Sequence, residues 1–238
     1  MSTITSPPPS VATVPPLPVP SAAIHAEQRI AIRDIPWDLY DRLSEAIGEG
    51  QNVHLAYDGK DLEIMVIGPT HEDAKEGLHL FVKAVAFELR IRCRGLGQTT
   101  WKRPETLRGI EADLCYFFDP AKLAIAADAR MRRSNDIADY PNPDLAIEID
   151  ISPSQVDRPG IYRALSVKEV WHFDGSSLVI DQLGSDGTYV ASESSLFLPV
   201  RADEVFRWVA EEDSNDEIAW ETRLREWARS ELAPRMKP

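Results

Sequence analysis

Short apolar strands alternate along this chain with amphipathic helices, which predicts an α/β fold (α+β in detail): a mixed central sheet flanked by helices. Three features carry that expectation. Two apolar runs, 53–57 and 62–67, are joined by Asp58-Gly59-Lys60-Asp61, turn chemistry suited to antiparallel neighbours. Between 71 and 94, Ala74, Leu78, Phe81, Val82, Val85 and Leu89 recur at spacings of three and four, predicting a helix of about six turns that ends at Gly95. Finally, 110–118 and 144–151 are apolar stretches punctuated by acids at alternate positions, the period of a strand.

The remaining elements follow in order. Seven prolines within the first twenty residues favour extended conformations over packing, so 1–24 is expected to be a disordered leader. Leu39, Leu43 and Ile47, four apart and preceded by Pro36, predict an opening helix. A strand is expected at 97–102, an irregular insert at 119–142 and a short helix at 156–166. Strands at 168–174, 178–183 and 188–191 are punctuated by Asp174-Gly175 and Asp186-Gly187. A helical tail over 203–232 carries Val205, Trp208, Val209, Trp220, Leu224 and Trp227 on its apolar face. The expected organisation is a leader (1–24), one domain (25–200) and a helical C-terminal extension (201–238).

Composition narrows the function. A chain of 238 residues, 43% hydrophobic, can bury a real core. Its net charge of −13 argues against coating nucleic acid through bulk positive charge, so any such contact must be local. Seven basic residues between Lys83 and Arg108 supply one candidate region. Two cysteines, Cys93 and Cys115, are too few for a disulfide scaffold or a thiolate zinc site. His25, His54, His79 and His172 form no ligand-spaced pair. With no secretory signal and no run of about 18 apolar residues, the expectation is a cytoplasmic protein without membrane contact. Trp208, Trp220 and Trp227 are expected as core or interface anchors that could support a homodimer.

The acids in the two strands are the chemical signal. Alternation puts Glu111, Asp113 and Cys115 on one side of 110–118, and Glu148 and Asp150 on one side of 144–151, about 7 Å apart along the strand. Asp and Glu are depleted in strands, and like charges packed together are costly unless a cation neutralises them. A hard oxygen site of this kind suits Mg²⁺ or Mn²⁺.

Several ordered strings then carry a family resemblance: Gly68-Pro-Thr-His71-Glu72 opening a helix, Gly97-Gln-Thr-Thr, Gly109-Ile-Glu-Ala-Asp113 and Pro143-Asp-Leu-Ala-Ile-Glu148-Ile-Asp150. Ile161-Tyr162-Arg-Ala-Leu165 and Val167-Lys-Glu-Val-Trp171 follow. Over roughly 50–200 the chain resembles the Uma-family restriction endonucleases of the PD-(D/E)xK nuclease superfamily. The resemblance implies a restriction-endonuclease-like fold, DNA as partner and metal-dependent hydrolysis of its phosphodiester bonds. It makes Asp113 the metal-binding Asp and Glu148 the acid of the second strand, with Glu72 a further acidic position. Two departures stand out: Ala112 replaces a proline, and Asp150 stands where a lysine is expected. Arg158 falls about where related members carry a displaced lysine; arginine cannot act as a base, but it can hold an anionic transition state. The expected site is therefore Asp113, Glu148, Asp150 and Arg158, with Asp113, Glu148, Asp150 and Glu72 toward the metal. His71, Glu111 and Lys102 are supporting residues. The missing lysine also fits a catalytically inactive relative that binds nucleic acid or protein.

Overall fold

The computed structural model describes residues 27–48, 52–210 and 216–236. The expected leader lies outside the described residues. The rest is a mixed α+β architecture of two sheets with helices on their outer faces and a shared layer between them.

The first sheet is wholly antiparallel, in the order β1 (Glu27–Ile32), β3 (Leu62–Ile67), β2 (Val53–Tyr57), β6 (Arg108–Ala112), β5 (Thr99–Arg103). The hairpin expected from Asp58-Gly59 is β2–β3; Gly59 has a φ of 96°, a conformation that other residues rarely adopt. Its outer face packs Leu55, Tyr57 and Leu62 against Tyr40 of α1 (Trp37–Ile47). β1 was not expected from the sequence, because its alternation is inverted: Ile30 and Ile32 face outward while Glu27 is buried.

The second sheet runs β11 (Tyr189–Ser192), β10 (Leu178–Leu183), β9 (Glu169–Phe173), β8 (Leu145–Ile149), β7 (Leu114–Phe117), β4 (Arg94–Gly95). Only β8 and β9 pair in parallel, which requires a crossover; α4 (Arg158–Ala164) supplies it. On one face, Leu114, Leu145, Ile147, Ile149 and Trp171 pack under α2 (Pro69–Glu88), together with α5 (Ala202–Val209) and α6 (Glu217–Trp227). The other face, with Cys115, Phe117, Ala146 and Val170, meets Ile161, Tyr162 and Leu165 around α4 and the inner face of the first sheet at Ala56, Trp101, Ile110 and Ala112.

Four expectations are corrected in detail. The long helix stops at Glu88, because Arg90 adopts a φ of 56° and Ile91 N–H and Arg90 N–H return to Ala86 and Phe87 carbonyls, a Schellman closure without glycine. The insert at 119–142 contains α3 (Pro120–Met131), announced by Asp119, whose carboxylate accepts from Ala121 N and Lys122 N, with Pro120 in the first turn. Among the described residues the tail comprises two α-helices followed by a π-helical turn (Ala228–Leu232) and a 3-10 turn (Ala233–Arg235), and Val205, Trp220 and Leu224 are buried in the same core as α2. The continuous strand expected over 110–118 is broken at Asp113, where the chain leaves the first sheet and enters the second.

Candidate active site

That break positions the site. Because the chain changes sheets at Asp113, the side chain sits at the seam between the two inner faces. Glu148 on β8 has the same facing as Ala146, toward α4 and the first sheet. Asp113 and Glu148 are both fully buried, and Asp113 Oδ2 accepts from Ile149 N–H at 2.8 Å, fixing it beside Glu148.

Around Glu148 and Asp150 the counter-charge comes from the protein. Arg158, 3% exposed, donates from Nη1 to Glu148 Oε2 at 2.8 Å and to Asp150 Oδ1 at 3.0 Å. Its Nη2 donates to Glu63 Oε1 at 3.0 Å. A second guanidinium, Arg29 of β1, donates to Asp150 Oδ1 at 2.6 Å, to Glu63 Oε1 at 2.7 Å and to Glu27 Oε2 at 2.9 Å. The Tyr162 hydroxyl closes a short hydrogen bond onto the other oxygen of Glu148. His172 of β9 lies 3.6 Å from Asp150 Oδ2 and, through its other nitrogen, 3.6 Å from Asp181.

Asp113 has a different surrounding. His54 Nδ1 and His71 Nε2 approach its Oδ1 at 3.1 and 3.2 Å, both rings buried. Neither approach has the alignment of a hydrogen bond, so Asp113 Oδ1 and the four imidazole nitrogens are buried without an aligned partner.

Electrostatics separate the two central acids. Burial pushes Asp113 up, but the two histidines outweigh it and hold the carboxyl below its ordinary range. Burial also pulls His71 down, and the contact with Asp113 more than reverses this. Glu148 goes the other way: burial, reinforced by the negative charges of Asp113 and Asp150, raises it well above 4.5 despite Arg158. Asp150, raised by burial and lowered by Arg158, His172 and Arg29, comes to about 2. The two neighbours are thus shifted in opposite directions, Asp113 down and Glu148 up.

Of the residues expected from the sequence, Asp113, Glu148, Asp150, Arg158 and His71 come together. Glu72 stays at the rim: its carboxylate, 45% exposed, holds Lys75 Nζ at 2.6 Å and lies 3.7 Å from His71 Nδ1. Lys102 is on the acids of α1, 2.6 Å from Asp41 and 3.8 Å from Glu45. Glu111, expected on the face of Asp113, alternates with Ile110 and Ala112, which face the shared layer, and instead accepts from Gln98 Nε2 at 2.7 Å. Sequence reasoning missed Glu27, Arg29, His54, Glu63 and Tyr162 as site residues. Glu63 carried a signal, an acid inside the apolar run 62–67; the pairing of His54 with Asp113 is long-range and has none.

A family model described as "Putative restriction endonuclease" (Uma2) matches residues 37–211. The chain belongs to the Uma2 family. Asp113 and Glu148 therefore lie within the matched segment, whereas β1, with Glu27 and Arg29, lies outside it. Among solved structures it is similar to one described as a "putative nuclease belonging to DUF820" from Anabaena variabilis ATCC 29413, with 17% identity and a TM-score of 0.45 over 74% of this chain and 99% of that one. No curated protein sequence matches.

Among the described residues no helix is long and apolar enough to cross a membrane. Nor does any group of three His, Cys, Asp or Glu side chains stand at metal-holding spacing. Mg²⁺ needs only one or two protein carboxylates, the rest of its shell being water and substrate oxygen. Asp113 Oδ1, buried without an aligned partner, leaves one carboxylate oxygen open to such a role, whereas both oxygens of Glu148 have protein partners.

Proposed function

We propose that this Uma2 protein is a metal-dependent endonuclease that hydrolyses DNA phosphodiester bonds, with Asp113 and Glu148 as the carboxylates that hold Mg²⁺ or Mn²⁺. The observation that carries the reading is the gathering of acids at the seam: among the described residues the buried Glu27, Glu63 and Glu148 and the half-buried Asp150 share two guanidiniums, Arg29 and Arg158, while the buried Asp113 faces His54 and His71. Like charges brought into low dielectric are costly, and the upward shift of Glu148 by burial and by the charges of Asp113 and Asp150 is one sign of that cost.

A bound divalent cation supplies Lewis acidity toward a phosphate oxygen and makes water a better nucleophile near neutral pH. The chain's own groups do the rest. Asp113, its negative charge supported by His54 and His71, and Glu148, oriented by Tyr162, would be the carboxylates that hold the cation. Arg158, always charged, stabilises the anionic phosphorane-like charge that builds up during in-line attack. Arg90 and Arg92, exposed after the end of α2 and without ion pairs among the described residues, are suited to the DNA backbone. A homodimer presenting two such sites to a duplex fits the same reading.

The test is plasmid cleavage by purified protein in Mg²⁺ or Mn²⁺ beside Asp113→Asn and Glu148→Gln. The expected result is nicking that falls by about 100-fold or more in each variant, the scale of losing one transition-state stabiliser. Cutting that survives both substitutions overturns the assignment. A second reading has its own observation: both oxygens of Glu148 and one of Asp150 already have protein partners. That arrangement favours a silent nuclease-fold module that binds nucleic acid or protein, and no cutting by the unaltered protein in either metal selects it.

A further inference from the structure

A cavity of about 220 Å³ lies on the sheet face opposite Glu148. Its floor is Ile151, just beyond β8, and Phe173, the last residue of β9, both packed with the core under α2. One wall is the first half of α2, as far as Leu80; the other is the end of α5, with Trp208 and Val209, and the start of α6, with Trp220. The indoles of Trp208 and Trp220 meet nearly at right angles, 81° between planes and 6.2 Å between centroids, and Trp220 Nε1 donates to the Trp208 carbonyl at 3.0 Å. That wall is therefore formed before anything enters.

Gly77 keeps the space open. It stands in the middle of α2, where glycine weakens a helix relative to alanine. A Cβ at this position would come no closer than 3.7 Å to any neighbour, Val209 Cγ1, which is an ordinary contact. Neither crowding nor backbone conformation calls for the missing side chain; what it leaves is room in the cavity.

The rim is acidic. Asp73, Glu76 and Glu217 are exposed there, and none makes an ion pair among the described residues. Glu217 lies in the first turn of α6, where the helix dipole favours a carboxylate, but Asp73 and Glu76 are past the first turn of α2 and lack that support. Aromatic walls beneath unpaired carboxylates sort ligands by charge. An anion is repelled, and a neutral apolar molecule takes water from the carboxylates without replacing it. A hard metal ion finds too few oxygen ligands on such walls. A cation carried on an apolar body satisfies both the rings and the rim.

We propose that this cavity is a binding site for a small organic cation, an ammonium on an aryl or alkyl body, with the body against Phe173, Trp208 and Trp220 and the ammonium at Asp73 and Glu76. The site is separate from the seam, and the proposal does not depend on a cation there.

The test uses the full chain and three probes of similar shape: phenethylamine, charged at neutral pH, neutral 2-phenylethanol and anionic phenylacetate. Calorimetric titration reads affinity, and indole N–H resonances, assigned with Trp208→Phe and Trp220→Phe, read location. Phenethylamine should bind about tenfold more tightly than 2-phenylethanol, the scale of a cation held over a ring and beside a carboxylate, and phenylacetate should bind most weakly. The largest shifts should be those of Trp208 and Trp220. Asp73→Asn with Glu76→Gln should bring the amine down to the affinity of the alcohol and leave the alcohol unchanged. Gly77→Leu should abolish binding of both with Tm unchanged or raised, because it fills the cavity and favours the helix. No saturable amine binding, equal affinity for amine and alcohol, or binding that survives Gly77→Leu overturns the site. Should Gly77→Leu not fold, the double variant and the indole shifts decide: an amine affinity that the double variant leaves unmoved, or largest shifts at other tryptophans, overturns it.

Discussion

Replacing Arg158 with methionine removes the central counter-charge at little change in volume, and its cost can be worked from the geometry. Arg158 makes ion pairs with Glu63, Glu148 and Asp150 at 2.8–3.0 Å and is 3% exposed. Breaking a buried pair by removing one partner costs about 3–5 kcal/mol. Two features hold this case to the lower end: Arg29 still reaches Glu63 and Asp150, and His172 still lies beside Asp150. The expected loss is about 3 kcal/mol, or a fall in Tm of about 6–12 °C for a domain of this size. Urea denaturation and thermal melting read it. The double variant Arg158→Met with Glu148→Gln should recover about 1 kcal/mol, because the pair is then removed together. A loss below about 1 kcal/mol, the range of a surface ion pair, would refute the idea that this guanidinium neutralises the seam.

Four further outcomes follow from individual contacts. Tyr162→Phe leaves one Glu148 oxygen buried without its donor and should cost about 1–3 kcal/mol in urea denaturation; a neutral effect would contradict the contact. Glu148 has a folded-state pKa raised above 4.5, so its contribution to stability is complete below that value and is lost as pH rises toward the folded-state pKa. Glu148→Gln should flatten this decline by up to about 1.4 kcal/mol per pH unit, and parallel profiles for the two proteins would count against it. Asp150, at about 2, has the opposite sign: its contribution is present above 3.8 and disappears as pH falls through about 2, a loss that Asp150→Asn should abolish in acid titrations of stability. Lys102→Ala, whose ammonium is engaged on α1, should leave plasmid cleavage within about twofold of the unaltered protein; a loss of tenfold or more would return Lys102 to the site.

What the sequence made legible was periodic. Acids at alternate positions among apolar neighbours marked Glu148 and Asp150, and the α/β order of elements followed from runs of three-and-four and two. The strings around Asp113, Glu148 and Tyr162 pointed to the family that the match over 37–211 establishes. What was not legible depends on where the chain turns. A strand read as continuous over 110–118 changes sheets at Asp113, which reverses the facing of Glu111 without any local sign beyond the acid itself. β1 hid for the reason that makes it interesting, because a strand with charges inside and isoleucines outside inverts the rule by which strands are found. His54 had no ligand-spaced partner in sequence because its neighbours at the seam, His71 and Asp113, come from other elements. The helix at 120–131 was announced by Asp119-Pro120, a capping signal, but its alanine-rich run has few large apolar residues to mark a helical period.

The central claim is that Asp113 and Glu148 can hold one divalent ion between them. A crystal soaked in Mn²⁺, with the anomalous signal mapped, tests this most directly. The account predicts a single strong peak within about 2.0–2.4 Å of an oxygen of each carboxylate, with Glu148 turned from Tyr162 or Arg158 to reach it. A seam free of anomalous signal at saturating Mn²⁺, with Arg158 still bridging Glu148 and Asp150, would contradict it.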